Sequence, residues 1–262
     1  MKTKVLITVK TYPTLSATYD ELVCTAGFRE DGSWIRIYPI PFRKLDYDRQ
    51  YSKYQWIELD LVRNHKDPRP ESFRPVDYQR ITLGQKIGTD NGSWSKRREI
   101  VLKKVYFDLG SLIAEAKNKD VCTSLAVFKP SKVFDFVIEK SEKEWDPKKV
   151  EILERKRLQL KLFPENPFKV VRKLPYKFSY RFEDCSKKEG KLMIEDWEIG
   201  QLFWNCLRRH QGNEEKACMD VRKKYFDDFV KTKDLHFYLG TTREFHFMAP
   251  NPFIIGAFYP KS

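Results

Sequence analysis

The chain has 262 residues, 41% of them hydrophobic and 33% charged, with a formal net charge of +13 at pH 7. That length allows two or three small domains with modest cores, and the composition describes a soluble globular protein whose charge favours a polyanionic partner such as nucleic acid. No window approaches about 18 consecutive apolar residues, which excludes a membrane-spanning helix, and the five scattered cysteines form no C-x-x-C pair, which argues against a zinc ribbon or a disulfide framework.

Residues 2–63 read as β-structure, in short runs rich in Val, Ile, Trp and Tyr separated by turn residues. KVLITVK is one strand, ELVCTAGFRE and SWIRIYPI pair as a hairpin around Asp31-Gly32, and YQWIELDLVR is another strand. After the turn, Ile35 and Ile37 point one way while Trp34, Arg36 and Tyr38 point the other. The first is a core face. The second either stacks on bases and touches phosphates or packs beneath a neighbouring domain. Short strands of this kind close into small barrels, so residues 1–75 are expected to form one. The segment NHKDPRPESFRP, with prolines at 68, 70 and 75, reads as an exposed loop.

Residues 76–145 restart the pattern and are expected to form a second small barrel-like unit. GTDNGSWSKRREI reads as a flexible basic finger carrying Trp94, Lys96, Arg97 and Arg98. DLGSLIAEAKN places Leu109, Leu112, Ile113 and Ala116 at helical spacing, and SLAVFKPSKVFDFVIEK reads as strands interrupted at Pro130. Residues 146–174 are expected to be a basic helix and linker, with Pro147 at the first helical position and the helix reaching about Phe163. Between residues 148 and 191 there are 14 Lys or Arg against 6 Asp or Glu, which is either a solvated face or a phosphate-tracking surface.

Residues 175–262 read as an α+β module: strands YKFSYRFED and KLMIED around a turn, helices WEIGQLFWNCLRRH and NEEKACMDVRKKYFDDFVK, then DLHFYLGTT, EFHFMAP and PFIIGAFYP. Ile199, Leu202, Phe203, Cys206 and Leu207 form a core-facing stripe, which makes Cys206 a buried small hydrophobe rather than a nucleophile.

The order LVCTAGFREDGSWIRIYPIPFR, WIELDLVR and SLAVFKPSKV resembles prokaryotic proteins with a dual OB-fold region. Cys24, Trp34, Arg36, Ser124, Leu125 and Pro130 match that pattern, over about residues 1–140. The resemblance implies two tandem OB-like barrels and no settled activity. It also suggests membership of a prokaryotic phage-defence or mobile-element operon. The C-terminal run is similar to a module of bacterial proteins in which an R-Y-R-F strand is followed by a C-x-x-H-like turn and D-W-E. Cys185 and DWE at 196–198 are present here, but SKKEGK supplies no histidine, so no metal role passes to Cys185.

An OB barrel binds single strands through a basic groove and exposed aromatics. Trp34, Arg36, Tyr38 and Arg43 supply those types on the hairpin, and Trp94, Lys96, Arg97 and Arg98 are placed to close over a strand. Trp and Tyr beside Arg also suit a domain interface. Glu183, Asp184, Glu195, Asp196 and Glu198 form an acidic constellation that would hold a divalent metal in a nuclease, while Asp196 and Glu198 equally suit the start of a helix as cap and first-turn acid. Between His236 and His246, the Gly240, Thr241, Thr242 and Arg243 turn offers groups for an anion, with His246 as acid or base.

The expected architecture is therefore α+β, with two tandem OB-like barrels followed by an α+β C-terminal module. The expected function is nucleic-acid recognition or adaptor work in a prokaryotic cytoplasm, needing no cofactor. The alternatives are a metal-dependent nuclease or nucleotide-processing enzyme using Asp196, Glu198 or His246, and a protein-interaction subunit.

Overall fold

Alternation of apolar side chains closes the N-terminal strands on themselves. The computed structural model describes residues 2–16, 20–159, 170–247 and 253–261. Its first strands are β1 (Lys2–Lys10), β2 (Thr14–Ser16), β3 (Asp20–Phe28), β4 (Trp34–Ile40), β5 (Gln55–Arg63), β6 (Ser72–Pro75) and β7 (Thr82–Lys86). β1 pairs with β3, β3 with β4, β4 with β6, β6 with β5, and β5 with β1, which closes a five-stranded barrel. Only the β4–β6 pair in that ring is parallel. Val5, Ile7, Ile35, Ile37, Ile57, Leu59 and Leu61 point inward and fill it. The β3–β4 turn falls where Asp31-Gly32 predicts: Gly32 has φ +83° and Asp31 accepts the Ser33 N–H at 2.8 Å.

The chain continues through α1 (Ser95–Val101), β8 (Val105–Tyr106), α2 (Leu109–Lys117), β9 (Leu125–Phe128), β10 (Lys132–Lys140) and α3 (Pro147–Gln159). Then come β11 (Tyr176–Glu183), β12 (Glu189–Met193), α4 (Trp197–Arg209) and α5 (Glu214–Arg222). A π-helical turn at Lys223–Asp228 leads to α6 (Phe229–Thr232), β13 (His236–Gly240) and β14 (Phe253–Phe258). The fold is α+β, as expected. A second barrel over residues 76–145 does not form among the described residues. β7 joins the first sheet, β8 and β9 join β13 and β14 in a four-stranded sheet, and β10 pairs with β11 beside β12. The apolar runs of 76–145 were legible as strands, but their partners lie more than 100 residues away in the case of β9 and β13. α3 begins at Pro147, with the Asp146 carboxylate accepting the Lys148 N–H at 3.0 Å; the expected continuation to Phe163 lies outside the described residues.

β9 and β13 carry apolar side chains on both faces. Ala126, Phe128, Phe237 and Leu239 face a C-terminal core that also takes Phe136, Phe178, Tyr180, Phe182, Ile199 and Phe203. Leu125, Val127 and Tyr238 face the other way, into a cluster with Val9, Ala26 and Phe28 of the barrel and Trp94 and Val101 at α1. The middle sheet is thus covered by helices and a second sheet on one side and by the outer wall of the barrel on the other.

Polar contacts fix the docking. Thr11 at the end of β1 forms a β-bridge with Asp196, and the Tyr12 N–H donates to the Glu195 carbonyl at 2.7 Å. The Tyr12 ring lies on α4 at Gly200, where a Cβ would meet it at 2.2 Å, and its hydroxyl accepts from Trp204 Nε1 at 2.8 Å. Lys53 of the β4–β5 connection is buried and donates to both Asp196 oxygens at 2.8 Å, with Glu198 at 3.1 Å. Burial alone would lower the Lys53 pKa, but Asp196 and Glu198 outweigh it and hold the ammonium well above the usual lysine range. Removing one partner of a buried pair strands the other, at a cost of about 3–5 kcal/mol. Lys53→Met is therefore expected to lower the urea-unfolding free energy by about that much, while Lys53→Met combined with Asp196→Leu recovers part of the loss. A single variant as stable as wild type would show that this ion pair does not hold the joint.

Candidate functional site

The Trp34, Arg36 and Tyr38 face of β4 turns toward the C-terminal module. Trp34 stacks on Phe28, with ring centroids 4.0 Å apart, and meets the Tyr238 ring edge-on at 5.7 Å. The side chain is half-buried in the joint rather than standing out as a stacking platform. Arg36 is buried and donates to Ser124 Oγ at 2.7 Å and to the Ser124 carbonyl at 3.2 Å. Arg43 is engaged with Glu21 at 2.7 Å. The expected basic finger is instead a packed turn followed by α1. Trp94 is buried between Tyr54, Phe258 and Tyr259. Arg97 is buried beneath them, its guanidinium 3.8 Å from the Tyr54 ring centre, and donates to the Ile87 carbonyl. Lys96 is exposed, and Arg98 pairs with Asp234 at 2.9 Å. Apolar surface on both sides of the chain consumed the aromatics, because burying a Trp is worth more than leaving it in water.

Asp196 caps α4 by accepting the Glu198 N–H at 3.3 Å, the local role its position favours. Its carboxylate is otherwise taken by Lys53, and Glu198 shares that lysine. Asp184 accepts backbone N–H groups of Leu109, Ser186 and Lys188. Among the described residues no three His, Cys, Asp or Glu side chains are grouped to hold a metal ion. No helix of the described residues is long and apolar enough to cross a membrane.

Two clefts among the described residues lie at opposite ends of β13. The first is an open cleft of about 670 Å³ beside Asp234 and Leu235. Its cations are Arg98, Lys129, Lys132 and Lys233, against the single acid Asp234. Arg98 and Lys129 both pair with Asp234; burial opposes ionisation of that carboxyl, but Lys129, His236 and Arg98 outweigh it and hold the pKa below the ordinary value. Lys132 is exposed at the tip of the β9–β10 turn, and Lys233 lies 3.5 Å from Asp228. Of the basic residues singled out from the sequence, Arg98 belongs to this cleft, as does Pro130. The K-P-S-K turn at 129–132 was the legible signal for Lys129 and Lys132, since Pro130 and Ser131 end one strand and set two lysines on the same turn.

The second cleft, of about 400 Å³, opens between the barrel and the module. Arg36, Tyr38, Asn64, Asp67 and Arg69 line it from the barrel, and Glu195, Gly240, Thr241, Thr242 and Arg243 from the module. The proline-framed loop carrying Asp67 and Arg69, expected to be exposed, is folded in: both residues are buried, and Arg69 forks onto Asp67 at 2.8 and 2.6 Å. Arg69 Nη1 donates to the Thr241 carbonyl at 2.5 Å. His246 is buried behind this wall, bridging Thr241 Oγ1 at 2.6 Å and Cys122 Sγ at 3.2 Å. It holds the Gly240–Arg243 turn in place without lining the cleft.

Two family models match the chain. Residues 108–262 match a domain of unknown function, DUF8757, and as this covers more than half of the chain, the protein belongs to that family. Residues 1–103 match a second domain of unknown function, DUF8758. The segments meet where the chain has left the barrel, and β8 lies between them. The comparison with curated proteins finds no match.

Burial lowers the His246 pKa below 6.5, and the nearby Arg69 and Arg36 push it the same way. The unfolded chain then takes up its proton first as pH falls, so His246 contributes stability that is present above about pH 6.5 and is lost below it. Burial lowers His236 as well, so it adds to the same slope. Urea-unfolding free energies are expected to decline as pH drops from about 6.5, and His246→Gln to flatten part of that decline. An unchanged slope in the variant would assign the acid lability to other groups.

Proposed function

We propose that this DUF8757 protein is a nucleic-acid recognition or adaptor protein whose phosphate-contacting surface is the open cleft of Arg98, Lys129, Lys132 and Lys233. The carrying observation is the local charge: four cations stand against one acid in an open cleft on a chain of net charge +13. Phosphate contact of this sort is largely independent of base sequence, and lysines on a turn suit it because they act as mobile point charges.

The barrel supports the same reading in a modified form. Omitting the short β2, its ring runs first, second, third, fifth, fourth and back to the first, which is compatible with the OB type the sequence resembles. OB barrels commonly bind along the face of their second and third strands. Here those strands are β3 and β4, and that face meets Tyr238 and Ser124 of the module. The reading therefore moves nucleic-acid contact from the hairpin to the cleft beside Asp234.

Fluorescence anisotropy with labelled single-stranded DNA, single-stranded RNA and duplex DNA across a salt series tests this. Binding is expected to weaken with salt. Lys129→Ala/Lys132→Ala is expected to reduce affinity about tenfold at low salt and, on a single strand, to lower the logarithmic salt slope by about 1.4, at roughly 0.7 per phosphate contact. Trp34→Ala is expected to cost about 2–3 kcal/mol of stability through lost packing while leaving affinity unchanged. Salt-insensitive binding, or binding lost in Trp34→Ala but kept in the lysine variant, would sink the assignment.

A further inference from the structure

We infer that the cleft between barrel and module is a second, separate binding site, and that its ligand is a nucleoside monophosphate, either free or as the phosphorylated end of a strand. The inference stands on observations independent of the basic cleft beside Asp234.

The cleft is built before any ligand arrives. The Thr241 carbonyl receives Arg69 at 2.5 Å and lies 3.5 Å from Arg36, while the Thr241 hydroxyl is held by His246 at 2.6 Å. Arg36 is anchored on Ser124, which is itself held by Glu71 through its N–H at 3.0 Å and its hydroxyl at 2.9 Å. Arg69 is anchored on Asp67, and Ser72 donates to the same carboxylate at 2.7 Å. The Gly240–Arg243 turn is therefore fixed from two sides, so a ligand meeting it pays little ordering cost.

The chemistry of the lining narrows the ligand. Arg36, Arg69 and Arg243 stand against Asp67 and Glu195, leaving one positive charge in excess among these groups. Arg36 and Arg69 are committed to Thr241 and their anchors. Arg243 is exposed at the lip, with no ion-pair partner among the described residues, and its guanidinium fork suits a phosphate. Leu22, Ile255 and the Tyr38 ring supply an apolar wall for a planar body. Asn64 also lines the cleft, and a carboxamide, with donor and acceptor side by side, matches the edge of a base. A volume of about 400 Å³ lies within the range of small-ligand pockets. One anionic group, a planar body and hydrogen-bonding edges together describe a nucleoside monophosphate.

Isothermal titration of the full chain with AMP, GMP, CMP, UMP and inorganic phosphate tests the inference. Saturable binding of at least one mononucleotide, tighter than phosphate, is expected. Arg243→Ala is expected to weaken it about tenfold or more, and Tyr38→Ala to narrow the gap between nucleotide and phosphate. Lys148→Ala, an exposed lysine of α3, is expected to bind as wild type. Trinucleotides with a 5′-phosphate or a 5′-hydroxyl distinguish the two sources: preference for the phosphorylated form over free mononucleotides assigns the site to strand ends, and the reverse to free nucleotides. No saturable binding of any mononucleotide or 5′-phosphorylated trinucleotide, phosphate binding as tightly as nucleotides, or nucleotide affinity unaffected by Arg243→Ala would each overturn it. Because Arg243 is outside the basic cleft, loss of oligonucleotide binding alone leaves this result separable.

Discussion

A sheet with apolar side chains on both faces cannot stand against water on either. β9 and β13 make that demand: Phe128 and Phe237 belong to one core, and Val127 and Tyr238 to another. The helices and the second sheet of the module cover the first face. The second has to be covered by something else, and the outer wall of the barrel does so with Val9, Ala26 and Phe28. Barrel and module are therefore joined by a continuous hydrophobic contact, and the position of each polar group near the joint follows from it.

Charges drawn into such a joint must find partners there. Lys53 finds Asp196, Arg69 finds Asp67, and Arg36 finds Ser124 and the Thr241 carbonyl. The contacts of Lys53 with Asp196, Arg36 with Ser124 and Arg69 with the Thr241 carbonyl also orient the two halves, since an ion pair or a guanidinium fork tolerates little displacement before its partner is left desolvated. Lys10 shows the cost of the arrangement. Burial, with Lys53 nearby, brings its pKa down to about 8, and its ammonium rests 4.2 Å from the centre of the Phe42 ring. The same contacts give the interdomain cleft rigid walls.

The two clefts differ in kind because they differ in depth. Beside Asp234 the lysines sit near the surface, Lys132 exposed on a turn and Lys129 and Lys233 each beside an aspartate, which fits contact with a flexible chain of phosphates. Between barrel and module Arg36 and Arg69 are buried and oriented, with Arg243 exposed at the lip, which fits a small ligand of defined shape. A strand such as β13 rises about 3.3 Å per residue, so its five residues set the two sites roughly 16 Å apart along the strand. Nucleic-acid recognition is thus proposed for a face that the barrel itself does not provide.

Local pattern carried much of the fold. Alternation along β4 and β5, the Asp31-Gly32 turn, Pro147 at the start of α3, the Ile199, Phe203 and Cys206 stripe of α4 and the cap at Asp196 are all decided by neighbours within a few residues. The choice of strand partners is not local, so Leu125–Phe128 read correctly as a strand and wrongly as part of a second barrel. The site followed the same division. Trp34, Arg36 and Tyr38 were recognisable as a face with a purpose, and Gly240 to Arg243 as a turn suited to an anion. That the face would meet Tyr238 and Ser124, that Arg69 would fold in to grip Thr241, and that Lys129 would lie beside Lys233 depended on chain segments about 90 to 200 residues apart. The sequence by itself determined most of the elements, their inward faces and the excess of positive charge. Only the tertiary structure decided which of those charges are buried as struts and which remain in water, because that depends on which apolar faces find each other.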